Sequence, residues 1–84
     1  MSDYPTTLHL VIASVGETRF DGAAVSATFP GASGEFTVLP HHEPLVVTLK
    51  PGTILVREAD GSTKEFIVDR GVVECSGNRV VVLL

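Results

Sequence analysis

Cysteine is nearly absent from this sequence of 84 residues, which contains Cys75 alone. A single cysteine cannot close a disulfide within the chain, so the disulfide-rich scaffolds of small secreted proteins are excluded. A zinc site built on several cysteines is excluded for the same reason. The cysteine content therefore favours a protein of a reducing compartment, with Cys75 as a small residue of the core.

Positive charge is also scarce, since 6 Lys and Arg stand against 10 Asp and Glu, for a net charge of −4. The cationic residues are scattered, whereas nucleic-acid binding depends on clustered Lys and Arg that contact phosphates. The same shortage argues against binding to anionic lipid surfaces. We therefore expect no nucleic acid among the partners.

Long apolar runs are missing as well. The longest are strand-sized, such as residues 80–84, and fall far short of the ~20 residues of a membrane helix. Residues 1–5 lack the basic start and apolar segment of a signal peptide. The sequence thus predicts a soluble, cytoplasmic protein with no direct membrane insertion.

Val, Ile, Thr and Phe are plentiful and recur at alternating positions, which is typical of β-strands and not of helices. Glycine and proline interrupt these stretches at short intervals. The pattern predicts strands over residues 7–14, 18–21, 23–29, 36–39, 45–49, 53–59, 63–69, 72–75 and 79–84. Such spacing is typical of sandwiches and barrels, and we predict an all-β fold, a small two-sheet β-sandwich of roughly 8–10 short strands.

Two hairpins and two core faces can be predicted within this pattern. Asp60-Gly61 predicts a tight turn, because glycine supplies the positive φ that such a turn needs. Ser76-Gly77-Asn78 predicts a second turn before the last strand. Alternation places these residues on shared faces: Leu8, Leu10 and Ile12 in the first strand, and Val25, Ala27 and Phe29 in the third.

The last strand is apolar on both faces, and Leu55 is an apolar residue opposite the face of Ile54 and Val56. Apolar residues make up 44% of the chain, with a mean hydropathy of +0.33, which is high for a small domain. We expect the last strand to be a central strand covered on both sides. The alternative is that the outer face of one sheet docks on another protein, since exposed apolar patches mark interfaces.

The densest polar cluster is His41-His42-Glu43, which lies between Pro40 and Pro44. Adjacent residues of an extended chain point to opposite sides, so neighbouring histidines rarely bind one metal ion from one strand. We therefore expect an exposed loop, stiffened by two prolines, and no metal site.

Catalytic and phosphate-binding motifs are missing. No Gly-x-Ser-x-Gly sequence occurs, and no Gly-x-x-x-x-Gly-Lys-[Ser/Thr] sequence occurs either. The acidic residues are not brought together by their spacing. We predict a protein that is not an enzyme and needs no cofactor.

One segment carries a more specific signal, and it resembles the signature of the ATP synthase epsilon subunit, called delta in mitochondria. That signature typically reads Gly-Glu-[apolar]-Gly-[apolar]-[apolar]-Pro-Gly-His-Ala-Pro-Leu, followed by [apolar]-Lys-Pro-Gly. The matching stretches here are Gly34-Glu35-Phe36-Thr37-Val38-Leu39-Pro40-His41-His42-Glu43-Pro44-Leu45 and Leu49-Lys50-Pro51-Gly52. Similar pieces lie upstream at Ser14 and Phe20-Asp21-Gly22, and downstream at Glu65-Phe66-Ile67-Val68 and Gly71-Val72-Val73-Glu74-Cys75. The resemblance thus covers residues 8–84.

The resemblance implies a single epsilon-type β-sandwich domain over residues 1–84. In the family this sandwich packs on the gamma subunit and sits on the polar loops of the membrane-embedded c-ring. Glu35 and His42 match the two family positions that face the ring, and His41 and Glu43 flank His42 there. Ser14 resembles a position on the gamma-facing side, and an outer apolar face that includes Leu55 would dock on gamma.

Three departures from the family pattern bear on these expectations. His41 and Glu43 replace the usual glycine and alanine, which adds polar bulk at the proposed ring contact. Arg70-Gly71 replaces the usual Gly-Gly and puts one turn in doubt. Many family members continue into two helices that can inhibit ATP hydrolysis and in some bind ATP. The sequence stops at Leu84, so we expect this helical hairpin and its ATP site to be absent.

These observations predict a non-catalytic central-stalk subunit of a rotary, proton-translocating ATP synthase, which couples the gamma subunit to the c-ring. Its expected location is peripheral, on the cytoplasmic side of the bacterial inner membrane. The alternative is a free-standing β-sandwich binding module with a different protein or carbohydrate partner. Carbohydrate modules usually expose aromatic residues, and this chain has only one Tyr, four Phe and no Trp.

Overall fold

A computed structural model describes residues 6–84, and nine β-strands account for most of them. The strands are β1 (Leu8–Ser14), β2 (Glu17–Ala24), β3 (Ser26–Gly31), β4 (Gly34–Val38), β5 (Leu45–Leu49), β6 (Gly52–Arg57), β7 (Thr63–Val68), β8 (Gly71–Ser76) and β9 (Arg79–Leu83). No helix occurs in residues 6–84, so none there could cross a membrane. Met1 to Pro5, where the sequence predicts no signal peptide, lie outside the described residues.

The strands form two halves joined at one place. The five-stranded half has the order β2-β1-β9-β8-β5, and the four-stranded half has the order β4-β3-β6-β7. Adjacent strands are antiparallel except β1 and β9, which are parallel. The register pair of Gly31 with Leu49 links β3 to β5, so the halves belong to one curled sheet. The prediction of an all-β, sandwich-like fold is confirmed.

The corner between the halves depends on close backbone approach at Gly31 and Gly52. The strands β5 and β6 follow each other along one edge of β3, with a short break between them. A Cβ atom on Gly31 would lie 2.6 Å from the carbonyl oxygen of Gly34, and one on Gly52 would lie 2.7 Å from the Cβ of Pro30. Since these distances are below van der Waals contact, a side chain at either position would displace the corner.

The core lies between the two halves and receives the inward residues of both. As predicted, Leu8, Leu10 and Ile12 are buried together in β1, and Ala27 and Phe29 are buried in β3. The other buried apolar residues are Ala24, Val38, Leu49, Ile54, Val56, Val68, Val73, Cys75, Val80 and Val82. Cys75 is 2% exposed, so its predicted place in the core is confirmed, and burial raises the pKa of its thiol.

The edge opposite the corner is closed by aromatic side chains and not by a strand ladder. Phe20 of β2 and Phe66 of β7 meet edge to face, with their ring centroids 6.1 Å apart. The Nζ atom of Lys64 lies 5.6 Å from the centroid of the Phe20 ring, which suits a cation–π contact. Side-chain packing between β2 and β7 therefore completes the sandwich.

The expected burial of the last strand on both sides is wrong. β9 is indeed central, between β1 and β8, and its Val80 and Val82 side chains are buried. The opposite face of β9 is open, because Val81 is half-buried and Leu83 is 59% exposed. Among the residues that the structure describes, the outer face of the five-stranded half is therefore exposed at Leu83.

Both predicted hairpins form, but the first has a longer loop than Asp60-Gly61 alone. Glu58 N–H donates to the Ser62 carbonyl at 2.8 Å, so the loop has three residues, with Gly61 at a φ of 90°. This is the pattern of a three-residue hairpin loop ending in a left-handed glycine. The Ser62 hydroxyl, 2.6 Å from Asp60 Oδ1, and the Ser62 backbone N–H hold the pKa of Asp60 below its usual value.

The predicted break at Gly22 is also wrong, since β2 continues through it and the chain breaks at Val25. Gly22 pairs with Leu10 of β1, and the Phe20 ring lies over it, 3.7 Å from where a Cβ would stand. The neighbouring aromatic ring thus covers the glycine, which stabilises a strand that glycine alone would weaken.

Candidate protein-binding surfaces

The histidine loop, residues 39–44, connects β4 to β5 and begins with a tight turn. His42 N–H donates to the Leu39 carbonyl at 3.1 Å, and the turn contains Pro40 and then His41 at a φ of 68°. Proline followed by a residue of positive φ is typical of a type II turn. The loop is also fastened from outside, because His41 N–H donates to Asn78 Oδ1 at 3.0 Å. The expected exposed, proline-stiffened loop is confirmed.

The structure brings Glu35 and His42 to one open groove of about 580 Å³ between the β3–β4 turn, the histidine loop and β5. Glu35 is exposed and His42 is half-buried. His42 Nδ1 lies 2.8 Å from the Glu43 carbonyl, which can only accept, so Nδ1 carries the proton. This hydrogen bond leaves Nε2 as the ring nitrogen that can contact a partner. His41 and Glu43 belong to the same loop, are exposed and do not line this groove.

The titratable side chains are spread over the described part of the chain. Within residues 6–84, no group of three or more His, Cys, Asp or Glu is placed to hold a metal ion. Cys75 is buried with a raised thiol pKa, the opposite of what a nucleophilic thiolate needs. The carboxylate and imidazole side chains of the groove and the histidine loop suit polar contact with another protein.

Ser14 of β1 and Leu55 of β6 lie apart, and Ile67 of β7 lies between them on the surface. Leu55 is half-buried on the outer face of β6, where its register partners are Thr28 and Glu65. Ile67 pairs with Thr53 on the same face, two positions from Glu65, and is 81% exposed. Ser14 and Ile67 line one pocket of about 220 Å³. We call the surface of Ser14, Leu55 and Ile67 the β6–β7 surface.

Ile67 was missed as a site residue, although the sequence carries a signal for it. Phe66, Ile67 and Val68 are consecutive apolar residues in one strand, and alternate side chains of a strand point to opposite faces. Since Phe66 packs on the core and Val68 is buried, Ile67 must point outward.

A second apolar surface covers the outer face of the five-stranded half. Its residues Val46, Val72 and Leu83 are exposed, and Val11 and Val81 are half-buried. Register pairs connect Val72 to Leu83 and Val81 to Val11, so these four side chains adjoin. Val46 is separated from Val81 by Glu74, which pairs with both. Within residues 6–84, exposed apolar side chains therefore occur on the outer face of each half.

A family model described as "ATP synthase, Delta/Epsilon chain, beta-sandwich domain" matches residues 7–84. The chain belongs to this family. It is 39% identical over 77 residues to the ATP synthase epsilon chain of Delftia acidovorans, covering 92% of this chain and 56% of that relative. The epsilon chain of Bordetella petrii is 38% identical over 77 residues, covering 92% and 55%. The chain spans about half the length of these curated relatives.

Two solved structures share the fold of this epsilon-family chain. A chain in the cryo-EM structure of Euglena gracilis mitochondrial ATP synthase, OSCP/F1/c-ring, superposes with a TM-score of 0.90 at 21% identity, covering 98% of this chain and 52% of that one. A chain of the Tetrahymena thermophila mitochondrial ATP synthase central stalk and c-ring gives a TM-score of 0.75 at 15% identity, covering 98% and 65%. At these identities the likeness establishes the fold alone.

The structure accounts for two departures from the epsilon-family pattern. His41 holds a positive φ where the family usually has glycine, and this is the conformation that glycine adopts freely. Arg70 is exposed in the short β7–β8 connection, which forms without the first family glycine. The second is retained as Gly71, whose Cβ would lie 2.8 Å from the Leu83 carbonyl.

Proposed function

We propose that the chain is a non-catalytic central-stalk subunit of a rotary, proton-translocating ATP synthase and couples the gamma subunit to the c-ring. Membership of the epsilon family supports this role. The observation that carries it furthest is the meeting of Glu35 and His42, the two positions matched to the ring contact, in one groove. In sequence they are separated by the rest of β4 and a turn.

The c-ring contact is assigned to Glu35, His41, His42 and Glu43. The groove holds a carboxylate and an imidazole, and the histidine loop adds a second carboxylate and a second imidazole beside it. Such a polar surface fits the polar loops of a c-ring that carry cationic or hydrogen-bonding side chains. The turn at Pro40 restricts the loop, so little conformational entropy is lost on binding.

The gamma contact is assigned to the β6–β7 surface. Leu55 and Ile67 supply apolar area at its centre, and Ser14 extends it across the open edge of the sandwich. An apolar centre with a polar rim is the usual composition of a stable protein interface. No cofactor takes part, and the protein is placed on the cytoplasmic side of the bacterial inner membrane, peripherally through its partners.

The test is co-purification of the tagged chain with the gamma subunit encoded by the same genome, at moderate salt. Capture in a one-to-one ratio is the expected result. The c-ring is then added to the captured pair, and retention of the ring on the column is expected. Folded gamma that fails to bind would refute the stalk role.

The second candidate is a free-standing β-sandwich binding module for another protein. The outer face of the five-stranded half favours it, because its exposed Val46 and Leu83 are not needed by the proposed gamma contact. The capture experiment separates the two candidates, since a module of this kind has no affinity for gamma.

A further inference from the structure

Asn78 lies in the β8–β9 turn and connects three separate segments of the chain. Gly77 and Asn78 have φ values of 56° and 65°, as a two-residue hairpin turn of type I′ requires. The side-chain Oδ1 accepts the His41 N–H at 3.0 Å, and Nδ2 donates to the Thr7 carbonyl at 2.7 Å. The backbone carbonyl of Asn78 accepts the His9 N–H at 3.1 Å.

The bond to His41 acts on the most constrained point of the histidine loop. His41 holds a left-handed φ, which side chains other than glycine rarely adopt, and its N–H is fixed by Asn78 Oδ1. The second bond, from Nδ2 to Thr7, sets the orientation of the amide and so the position of Oδ1. His42 follows directly in the chain, and its ring position in the groove depends on the backbone at His41.

We propose that Asn78 is a positioning residue for the c-ring contact, which holds the histidine loop so that His42 faces Glu35 across the groove. This rests on the proposed function as far as the ring is concerned. The effect on the loop is a property of the isolated chain and can be measured without any partner.

The turn offers a clean substitution at this position. Asn78→Gly keeps the positive φ at no steric cost and removes both side-chain hydrogen bonds. Asn78→Asp keeps an acceptor for the His41 N–H but places a carboxylate oxygen where Nδ2 donated to the Thr7 carbonyl, and two acceptors there repel each other. Because the bond to Thr7 orients Oδ1, Asn78→Asp is expected to weaken the loop bond, and Asn78→Gly is expected to lose it.

The first measurement is amide hydrogen exchange by NMR on the isolated full chain. In Asn78→Gly we expect exchange at His41 to be at least about tenfold faster. Core amides such as that of Val73 serve as the internal control and are expected to change little. In Asn78→Asp we expect an increase in exchange at His41 that is smaller than in Asn78→Gly, because the acceptor remains but its orienting bond to Thr7 is lost. Unchanged exchange at His41 in Asn78→Gly would overturn the inference, whatever the partners do.

The second measurement is affinity for the detergent-solubilised c-ring and, separately, for gamma. We expect Asn78→Gly to weaken ring binding by about tenfold and to leave gamma binding unchanged, whereas a general loss of stability would weaken both. In a His42→Ala background, Asn78→Gly is expected to have a smaller effect on the ring, because part of its action is through His42. Equal effects in both backgrounds would refute positioning.

The outcomes also separate this inference from the proposed function. If His42→Ala weakens ring binding and Asn78→Gly does not, the stalk role stands and the positioning role is wrong. If neither the chain nor its His42→Ala variant binds the ring, the ring contact is wrong. In that case hydrogen exchange still decides whether Asn78 fixes the loop.

Discussion

Replacing Ile67 by alanine should weaken gamma binding while leaving the fold nearly intact. The substitution removes three carbon atoms, worth about 2.4 kcal/mol on full burial at about 0.8 kcal/mol per CH₂. Because Ile67 is 81% exposed in the free chain, nearly all of this area is available to a partner. A loss of about 2 kcal/mol in binding corresponds to an increase of about 30-fold in Kd.

The assay is titration of purified gamma by isothermal calorimetry, together with urea unfolding of each variant. The free energy of unfolding should fall by at most about 1 kcal/mol, the range of strand propensity, since Ile67 contributes little to the core. Leu83→Ala is the matched control, because it removes the same number of carbons from the other apolar surface. Leu83 is 59% exposed, and the Kd of the Leu83→Ala variant for gamma should stay within about twofold of the Kd of the unsubstituted chain.

The reverse pattern would refute this reasoning. If Leu83→Ala raises the Kd and Ile67→Ala does not, gamma binds the outer face of the five-stranded half. The assignment of Ser14 and Leu55 would then be wrong together with that of Ile67.

Three further outcomes are expected. Glu35→Lys should reduce ATP-driven proton pumping in membrane vesicles without unfolding the domain, since Glu35 is exposed. Glu74→Lys, on the other half, is the control and should leave pumping unchanged. Normal pumping by Glu35→Lys would show that Glu35 is not part of the ring contact. His41→Gly should raise the free energy of unfolding by about 0.5–1 kcal/mol, because it removes the cost of a left-handed conformation and adds the smaller entropic cost of glycine. A lower melting temperature would show instead that the His41 side chain stabilises the loop. Because burial raises the pKa of the Cys75 thiol, the unfolded chain loses that proton first, so stability should decline as pH rises past the ordinary value of 9.0. The free energy of unfolding of Cys75→Ala, measured with urea, should decline less over the same pH range. An identical pH dependence in the two proteins would contradict the raised thiol pKa.

The sequence predicts the strands well because alternation in β1 has one physical cause, a single buried face. Leu8, Leu10 and Ile12 follow it and are all buried. The same reasoning fails at Gly22, because a local pattern cannot tell that the Phe20 ring covers a glycine from the same strand.

The candidate site was less accessible to sequence reasoning than the fold. Alternation describes which residues share a face, but it does not say what covers that face, which is why the outer side of β9 was predicted incorrectly. The pairing of Glu35 with His42 came from the family resemblance, and only the register of β3, β4 and β5 explains it in space. Asn78 could be predicted as a turn residue, but not as a contact of a loop 37 positions away.

The aromatic closure between β2 and β7 has a consequence for self-association. Among the strands that the structure describes, both are sheet edges, and edge strands can add strands from a second molecule and start aggregation. Lys64 lies on the inward face of β7 against Phe20, and its Nζ is 3.2 Å from Glu58 Oε2. An inward charge on an edge strand is one of the devices by which proteins prevent such pairing, since an added strand would have to bury it. Lys64, which contacts Phe20 on the open side of the sandwich, is therefore placed to disfavour the addition of a strand at the β7 edge.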